Sequence, residues 1–578
     1  MQTPRQRYLG RLGKLESQRA PWDKFYRDIG DYLLPWRVRF SATEKIRREA
    51  SDKILDPTGT FALRTCAAGM STGICSPARR WKRLTTPDPR LADLPSVKSY
   101  LQEVDSILDW VLLRSGFYGV TSGACFPDLI AFGTAGMLGE EDDETIVRWK
   151  PLAAGSFWLA VDGAGRVDTL YRKHVLSVAQ MVGEFGIDAV SAQVRDQYRR
   201  GQWDVEHQIL HVIEPNRKDT ETGFEGMKSG LWNWEGMEFR AVYMEAARSD
   251  DGKTAFLRTA GYRDFPAITP RWSRTVPEDV YGTGPGFEVL PDLKQLQTMV
   301  RRKLQMVEKQ SSPPLSGPEM LGIPSQLPGQ YTAITGGQGE VRAIHVPDHG
   351  AVQQVREDIR GLQWAVQQGL YADLWRLITD DERAQRSTAE EIRAKREERL
   401  QQLGSVMVNV EEEYLRRVLD RAFTLADRMG IMPVPPQELD GMELKIEFLS
   451  VMGEAQKAQQ IPAMERVAAM ILSASQIQPD ILDAFDGDKY VNKYSDIAGM
   501  DPDILRPQAE RNAKRAKRAK DEQAQKAAAA LQQGAGAAKD LAGATLESDS
   551  ALSRIMNAYG PAAAAQAGTN LQAPLGIQ

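Results

Sequence analysis

Residues Val280 to Leu315, VYGTGPGFEVLPDLKQLQTMVRRKLQMVEKQSSPPL, dictate one element more firmly than any other stretch of this chain. Val289, Leu293, Leu296, Val300, Leu304 and Val307 recur at gaps of three and four, which lines one face of a helix of about six turns. Pro313 and Pro314 cannot continue a helix, so the chain must turn there. A second amphipathic run, Val352 to Ile378, carries Val355, Ile359, Leu362, Val366, Leu370, Leu374 and Leu377 on one face. Two long helices therefore bracket a short, proline- and glycine-rich, strand-like insert. No enzyme motif sits on them. The arrangement suits a mechanical part, a pair of rods with a head, better than a catalytic pocket.

With 578 residues and 42% hydrophobic content, the chain can bury large cores and is expected to form several subdomains. A net charge of −5 lacks the basic excess of a protein that coats DNA non-specifically. Any DNA contact must be local or weak. Cys66, Cys75 and Cys125 are odd in number and form no C-x-x-C pair, so they read as reduced, partly buried thiols of a cytoplasmic product. No apolar run approaches the ~18–20 residues that span a bilayer, and no membrane role is expected. The opening MQTPRQRYLGRLGKLESQRAPW has no apolar core of a secretory signal. The expectation is a soluble, cytosolic product.

Along the chain, residues 1–40 read as a helix that Pro35 ends. A small-residue helix follows at 56–76, and a third at Leu94 to Leu113. Phe117 to Met137 reads as largely helical, with Pro127 starting or dividing it. The pattern changes near 145. Strand-like runs at 146–149, 157–161, 167–172, 203–213, 238–246 and 254–262 make 145–275 a β-rich subdomain, with helical pieces at 176–185 and 188–199. DDERAQRS, 380–387, is a polar loop. Ser387 with Glu390, or Thr388 with Glu391, then offers a capping box for a helix that stops at Gly430. A strand at Leu444 to Ser450 and short helices over 455–500 follow. From Arg511 the chain turns to Ala, Gln, Lys and Gly, starting as a helix-prone basic segment and ending in a polar-alanine tail too poor in large apolar groups to fold alone.

Candidate chemistry is sparse. Gly252-Lys253-Thr254 lacks the preceding glycine of a phosphate loop, because Ala247 stands there, and a strand follows where a helix is needed. It reads as a hairpin turn. Gly282, Gly284 and Gly286 lack the βαβ context of a dinucleotide loop and read as a hinge at the start of the first long helix. His207 and His211 have the spacing of metal ligands on a helix, but VEHQILHVIEP reads as a strand, which separates them by ~13 Å. His174, His345 and His349 form no nucleophile–base set. Glu140, Glu141, Asp142, Asp143 and Glu144, and then Glu411, Glu412 and Glu413, are runs whose neighbours point apart, so solvated turns or helix faces are expected. Neither a metal site nor a cofactor is expected. Arg383 and Arg386 sit in the polar loop, where arginine could meet phosphate, with Asp380, Asp381 and Glu382 balancing them. The basic run KRAKRAK, 514–520, reads as a solvated helix face.

At this point the residues carry a family likeness. The chain resembles the portal (head-to-tail connector) proteins of podovirus-type bacteriophages. The likeness runs through WDKFYRDIGDYLLP (22–35), DPTGTFALRTCAAGMSTGICSPARRWKRL (56–84), SGFYGVTSGACFPDLIAFGTAGML (115–138) and DGAGRVDTLYR (162–172). It continues through 280–315, QRSTAEEIRAKREE (385–398) and LDGMELKIEFLSVMGEAQKA (439–458), in order along roughly 20–460. It implies an α+β, predominantly helical portal fold: an N-terminal wing at 1–286, a first stem helix at 287–311, a clip at 312–349 and a second stem helix at 350–378. A tunnel loop would follow at 379–388, a wing helix and strand at 389–450, a crown at 451–510 and an alanine-rich barrel or flexible tail at 511–578. It also implies a homo-oligomeric ring, typically a dodecamer, at one capsid vertex, with double-stranded DNA in its channel. Implied partners are the terminase large subunit, a tail adaptor or gatekeeper, and the major capsid and scaffolding proteins. The protein would end in the virion after assembly in the host cytoplasm.

On this resemblance Arg383, Gln385 and Arg386 line the channel, with Lys294, Arg301 and Arg302 on the polar face of the first stem helix. Val289, Leu293, Leu296, Val300, Leu304, Leu362, Val366 and Leu370 pack the stem, and Pro313, Pro314, Arg342 and His345 belong to the docking clip. Two other classes stand beside it. A metal-dependent hydrolase or nuclease would need convergent ligands, and a ring-free cytosolic helical scaffold would have no need of the order helix, insert, helix, polar loop.

Overall fold

The computed structural model describes residues 3–37, 39–40, 53–78, 80–88, 91, 94–216, 237–246, 256–311, 315–316, 342–343, 349–379, 404–439, 445–448, 464–471, 473–474, 486–498 and 508–542. The chain forms two compact units, Met1–Ala455 and Gln456–Gln578. Helices dominate, with β-sheets beside them.

Helix α1, Pro4–Tyr32, opens on a capping box: Thr3 N–H donates to Gln6 Oε1 and Gln6 N–H to Thr3 Oγ1. It is a strut between two cores. Tyr8, Leu12 and Leu15 pack against Trp158, Tyr171, Leu210 and Val212 of a sheet. One helix length further on, Tyr26, Ile29 and Leu33 enter the helical core. Between them Arg19, 2% exposed, donates to the carbonyls of Gly155 and Phe157 and lies over the Trp158 ring. A charge so deep is tolerable only because those carbonyls and Asp23 satisfy it.

The helical core gathers α2 (Thr58–Ile74), α3 (Pro95–Arg114) and α4. α4 comprises Phe117–Val120, a π-turn over Thr121–Cys125, and Phe126–Phe132. The expectation of helix as far as Met137 fails at Gly133, whose left-handed backbone (φ 67°) stops the helix. Met137 instead belongs to strand β2 (Gly136–Asp142), paired with β3 (Ile146–Leu152) and β9 (Ala267–Ile268). The β-rich part therefore begins at Gly136 rather than 145. Five antiparallel strands form the second sheet in the order β4 (Phe157–Val161), β5 (Val167–Ser177), β6 (Glu206–Pro215), β7 (Phe239–Glu245) and β8 (Arg258–Tyr262). Helices α5 (Val178–Phe185) and α6 (Ala192–Arg199) cover it around Val178, Met181, Val194 and Ile209.

A strand missed in the sequence, β1 (Lys82–Thr85), pairs with the distant β12 (Lys445–Phe448). Lys82, 1% exposed, reaches Asp105 and Asp109 of α3 at 2.6 and 2.7 Å. No local periodicity marks a four-residue strand whose partner lies more than 350 residues away. In the second unit Gln508–Ala542 is one continuous helix of 35 residues. Its Arg511 and Arg515 pair with Asp488 at the start of the helix Gly487–Ala498.

Candidate functional site: the helical hairpin and its base

The first predicted rod is helix α7, Pro285–Ser311, and it matches its expected span closely. The second rod is broken. Helix α8, His349–Gly369, ends before Tyr371, whose φ of 56° places a tyrosine in the left-handed region, and α9, Ala372–Thr379, restarts beyond it. The single run expected over Val352 to Ile378 is thus two helices, because Leu370 and Tyr371 turn the chain where the apolar spacing alone shows no interruption. Trp375 shows what the break achieves. Its indole lies in a trough on α2 where a Cβ on Gly73 would stand 2.6 Å from the ring and one on Gly69 would collide with it outright. Trp375 is 4% exposed there.

α7 and α8 run antiparallel: Gly369 meets Val289 near the base, and β10 (Leu315–Ser316) pairs with β11 (Arg342–Ala343) beyond the other end. The strand-like reading of the insert holds for these four residues. Pro313, Pro314 and His345 lie outside the described residues, and of Arg342 only the backbone is described. Arg383, Gln385, Arg386 and the capping box at Ser387 also fall outside them, as does Gly252-Lys253-Thr254 between the paired strands β7 and β8.

The glycines ahead of α7 do more than release a helix. A Cβ on Gly282 would lie 2.5 Å from the Gly133 carbonyl oxygen, and one on Gly284 2.9 Å from Gly133 Cα. Gly286 presses on Ala131 in the same way. They let the start of α7 touch the end of α4 backbone to backbone, a close approach rather than a hinge.

A polar node fixes the base of the hairpin. The N–H groups of Leu55 and Asp56 donate to Gln297 Oε1 at 2.7 and 2.8 Å, and Gln297 Nε2 donates to the Asp56 carbonyl at 2.8 Å. Asp56 Oδ2 accepts from Gln363 Nε2 at 2.7 Å, and Asp56 Oδ1 caps Thr58 at the start of α2. One loop residue is thereby tied to both rods and to α2. Gln297 stands beside the apolar stripe at a buried position, and that is the only trace of this node in the sequence.

The apolar stripe divides along its length. Val289, Leu293 and Leu296 are buried with Val366 and Leu370 in the helical core, and Val300 and Leu362 are half-buried. Further out, Leu304 is 54% exposed and Val307 41%, and Trp364 of α8 is 59% exposed. Lys294 turns to Asp28 of α1 at 2.6 Å, whereas Arg301 and Arg302 are exposed.

The remaining predicted chemistry is structural. His211 is buried in β6, stacked on Tyr243, and its Nδ1 accepts from Arg172 Nε at 2.9 Å. His207 contacts Gln197 instead. Among the described residues no group of three His, Cys, Asp or Glu side chains could hold a metal ion. The acidic runs are less solvated than expected: Glu413 holds buried Arg271 at 2.7 Å, and Glu140 meets Lys150 and Arg172. All three cysteines are fully buried and free, and burial pushes the Cys66 and Cys125 thiols up to about 12. Among the described residues no helix is long and apolar enough to cross a membrane.

Comparison with known proteins bears on the chain as a whole. Residues 5–505 match a family model described as bacteriophage head to tail connecting protein. A protein named "Probable portal protein" from Bordetella phage BPP-1 is 34% identical over 565 residues, covering 96% of this chain and 99% of its own. The portal protein of Salmonella phage epsilon15 is 33% identical over 566 residues, covering 97% and 99%.

Proposed function

The chain belongs to the family of bacteriophage head-to-tail connecting proteins, and from that premise we propose that its copies close into a ring of twelve at one vertex of the capsid. Its role is that of a portal, a structural component of the virion at the head–tail junction. The observation that carries this is the match to two portal proteins over nearly the whole of both chains. The hydrolase and ring-free scaffold readings gain no support from it.

In this proposal α7 and α8 are the stem, 312–349 the clip, and 379–388 a tunnel loop that brings Arg383, Gln385 and Arg386 to the DNA. Residues 1–286 and 389–450 form the wing, 451–510 the crown, and 511–578 a barrel or arm. The exposed side chains Leu304, Val307 and Trp364 support the stem assignment, since apolar groups at that spacing are covered when neighbouring hairpins stand side by side in a ring. The clip would receive the terminase large subunit during packaging and a tail adaptor afterwards, with capsid and scaffolding proteins around the wing. Assembly would take place in the host cytoplasm.

A DNA conduit must guide without gripping. Each phosphate neutralised by a cation releases counterions and strengthens binding, so a strongly basic bore would stall the duplex. A net charge of −5 suits sliding, and Lys294 is already neutralised by Asp28. Arg301 and Arg302 are among the exposed cations of the stem, with Lys309, Arg356 and Arg360. Electron cryomicroscopy of the purified full-length protein, with native mass determination, tests the proposal. Closed rings with a bore of at least ~20 Å, wide enough for a duplex, support it. A species that stays monomeric or dimeric at every concentration and salt overturns it.

A further inference from the structure

Two helices of the first unit each carry one extra residue in a turn, and the two irregular turns touch. In α4, Phe126 N–H donates to the Thr121 carbonyl five residues back. In helix α10, built of Gly404–Val410, a π-turn over Glu411–Leu415 and Arg416–Arg428, Arg416 N–H donates to the Glu411 carbonyl in the same way. Such bulges insert a residue without breaking the helix and gather at functional positions.

The first bulge has a cause in the sequence. Pro127 has no N–H to give the Gly123 carbonyl, and its ring would crowd that carbonyl in a regular helix. Widening the turn removes the clash. Arg37 then supplies the missing donor: Nη1 reaches the Gly123 carbonyl at 3.3 Å, while Nε and Nη2 hold buried Asp128 at 2.6 and 2.5 Å.

Tyr414 of the second bulge locks into the first. Its ring is fully buried between Phe117 and Phe126, at centroid distances of 6.0 and 5.8 Å, so it touches the helix on both sides of the bulge. Its hydroxyl lies 2.7 Å from Thr121 Oγ1. Thr121 already donates its one hydroxyl proton to the Phe117 carbonyl at 2.8 Å, so Tyr414 is the donor to Thr121. The neighbouring Glu413 grips Arg271, which also donates to the carbonyls of Gly165 and Asp279. Asn409 Nδ2 donates to the next carbonyl, that of Trp272. The Trp272 ring stands 6.1 Å from Tyr371, the left-handed residue at the break between α8 and α9.

We propose that the interlocked π-bulges of α4 and α10 are one coupled joint, held by the Tyr414–Thr121 hydrogen bond, that transmits movement between the break at Tyr371 and the wing-side helix α4. The two bulges form and relax together, because Tyr414 belongs to one and is wedged into the other. This goes beyond ring formation and would hold for a single subunit.

Hydrogen exchange of the full-length protein, followed by mass spectrometry, tests it. Tyr414→Phe keeps the ring and removes one hydrogen bond. Thr121→Val removes the same bond from the other side, together with the bond of Thr121 to the Phe117 carbonyl. Each variant is expected to speed exchange roughly five- to tenfold or more, as loss of a buried hydrogen bond would. The rise should appear in all three segments 117–126, 410–416 and 368–374, while strand β6 stays unchanged. A double variant should exchange no faster than Thr121→Val alone. A rise confined to the segment that carries the substitution, or additive effects of the two substitutions, would overturn the coupling.

Discussion

Two buried histidines give the stability of this molecule a pH dependence of known sign. His174 is pushed down to about 3, by burial first and then by Arg172 and Lys150. His211 lies well below its ordinary value for the same reasons, burial first and Arg172 next. Both fold as neutral imidazoles. Below the unfolded value of about 6.5 the unfolded chain gains protons that the folded one refuses. Their contribution is therefore complete above about pH 6.5 and is lost as pH falls below it, for His174 down to about 3, at up to about 1.4 kcal/mol per pH unit for that histidine. Melting temperature measured from pH 7.5 to 4.5 should fall steeply in the acid half of that range, and His174→Leu should flatten the fall. A parallel shift of the whole curve would show that the imidazole does not titrate on unfolding. Gly69 is a second test at this scale. Gly69→Ala places a methyl inside the Trp375 indole, so the backbone of α2 or the ring must move. Overpacking of this kind should cost about 1–3 kcal/mol in denaturant melts, against the small gain in helix propensity that alanine brings on an open surface.

At the scale of elements, the sequence makes the rods legible and hides the joints. The apolar spacing of α7 is local information, and the structure follows it from Pro285 to Ser311. The same spacing runs on through Leu370 and Leu374, yet the helix breaks between them. Period counting cannot see that, because the break keeps apolar residues facing the core on both sides. What sets it is Trp375 finding its trough on α2, a contact between residues some 300 apart. The Gln297 node is hidden for the same reason, since its partners lie at Leu55, Asp56 and, through Asp56, Gln363. Gln297→Ala removes the acceptor of two partly buried N–H groups and should cost about 1–2 kcal/mol. Limited proteolysis should then cut faster around residues 53–58, with Gln297→Glu partly protective because its oxygens can still accept from both amides. Unchanged cleavage in Gln297→Ala would show that the loop is held without the node.

At the scale of the whole molecule, the exposed half of the α7 stripe is the feature that one subunit leaves unexplained. Leu304→Asp and Val307→Asp alter side chains in open positions, so the subunit's own melting should move by no more than about 0.5 kcal/mol. The proposed ring should nevertheless fail to close, and sedimentation should report smaller species. Rings that form normally in the double variant would place the subunit contact elsewhere. Arg301→Gln with Arg302→Gln should leave ring formation intact and reduce the salt sensitivity of DNA retention.

Pattern and composition alone determined that this chain is largely helical, that two amphipathic rods flank a proline-rich insert, that the middle is β-rich, and that the phosphate-loop and histidine motifs sit in the wrong context for chemistry. Each of those rests on residues within a few turns or strands of one another. The tertiary structure decided where α4 stops, that β1 and β12 meet, that the second rod is broken at Tyr371, and that two π-bulges interlock through Tyr414 and Thr121. Apart from the stop at Gly133, which its own backbone sets, these are choices between locally similar alternatives won by contacts between distant residues, and no window of sequence contains both partners.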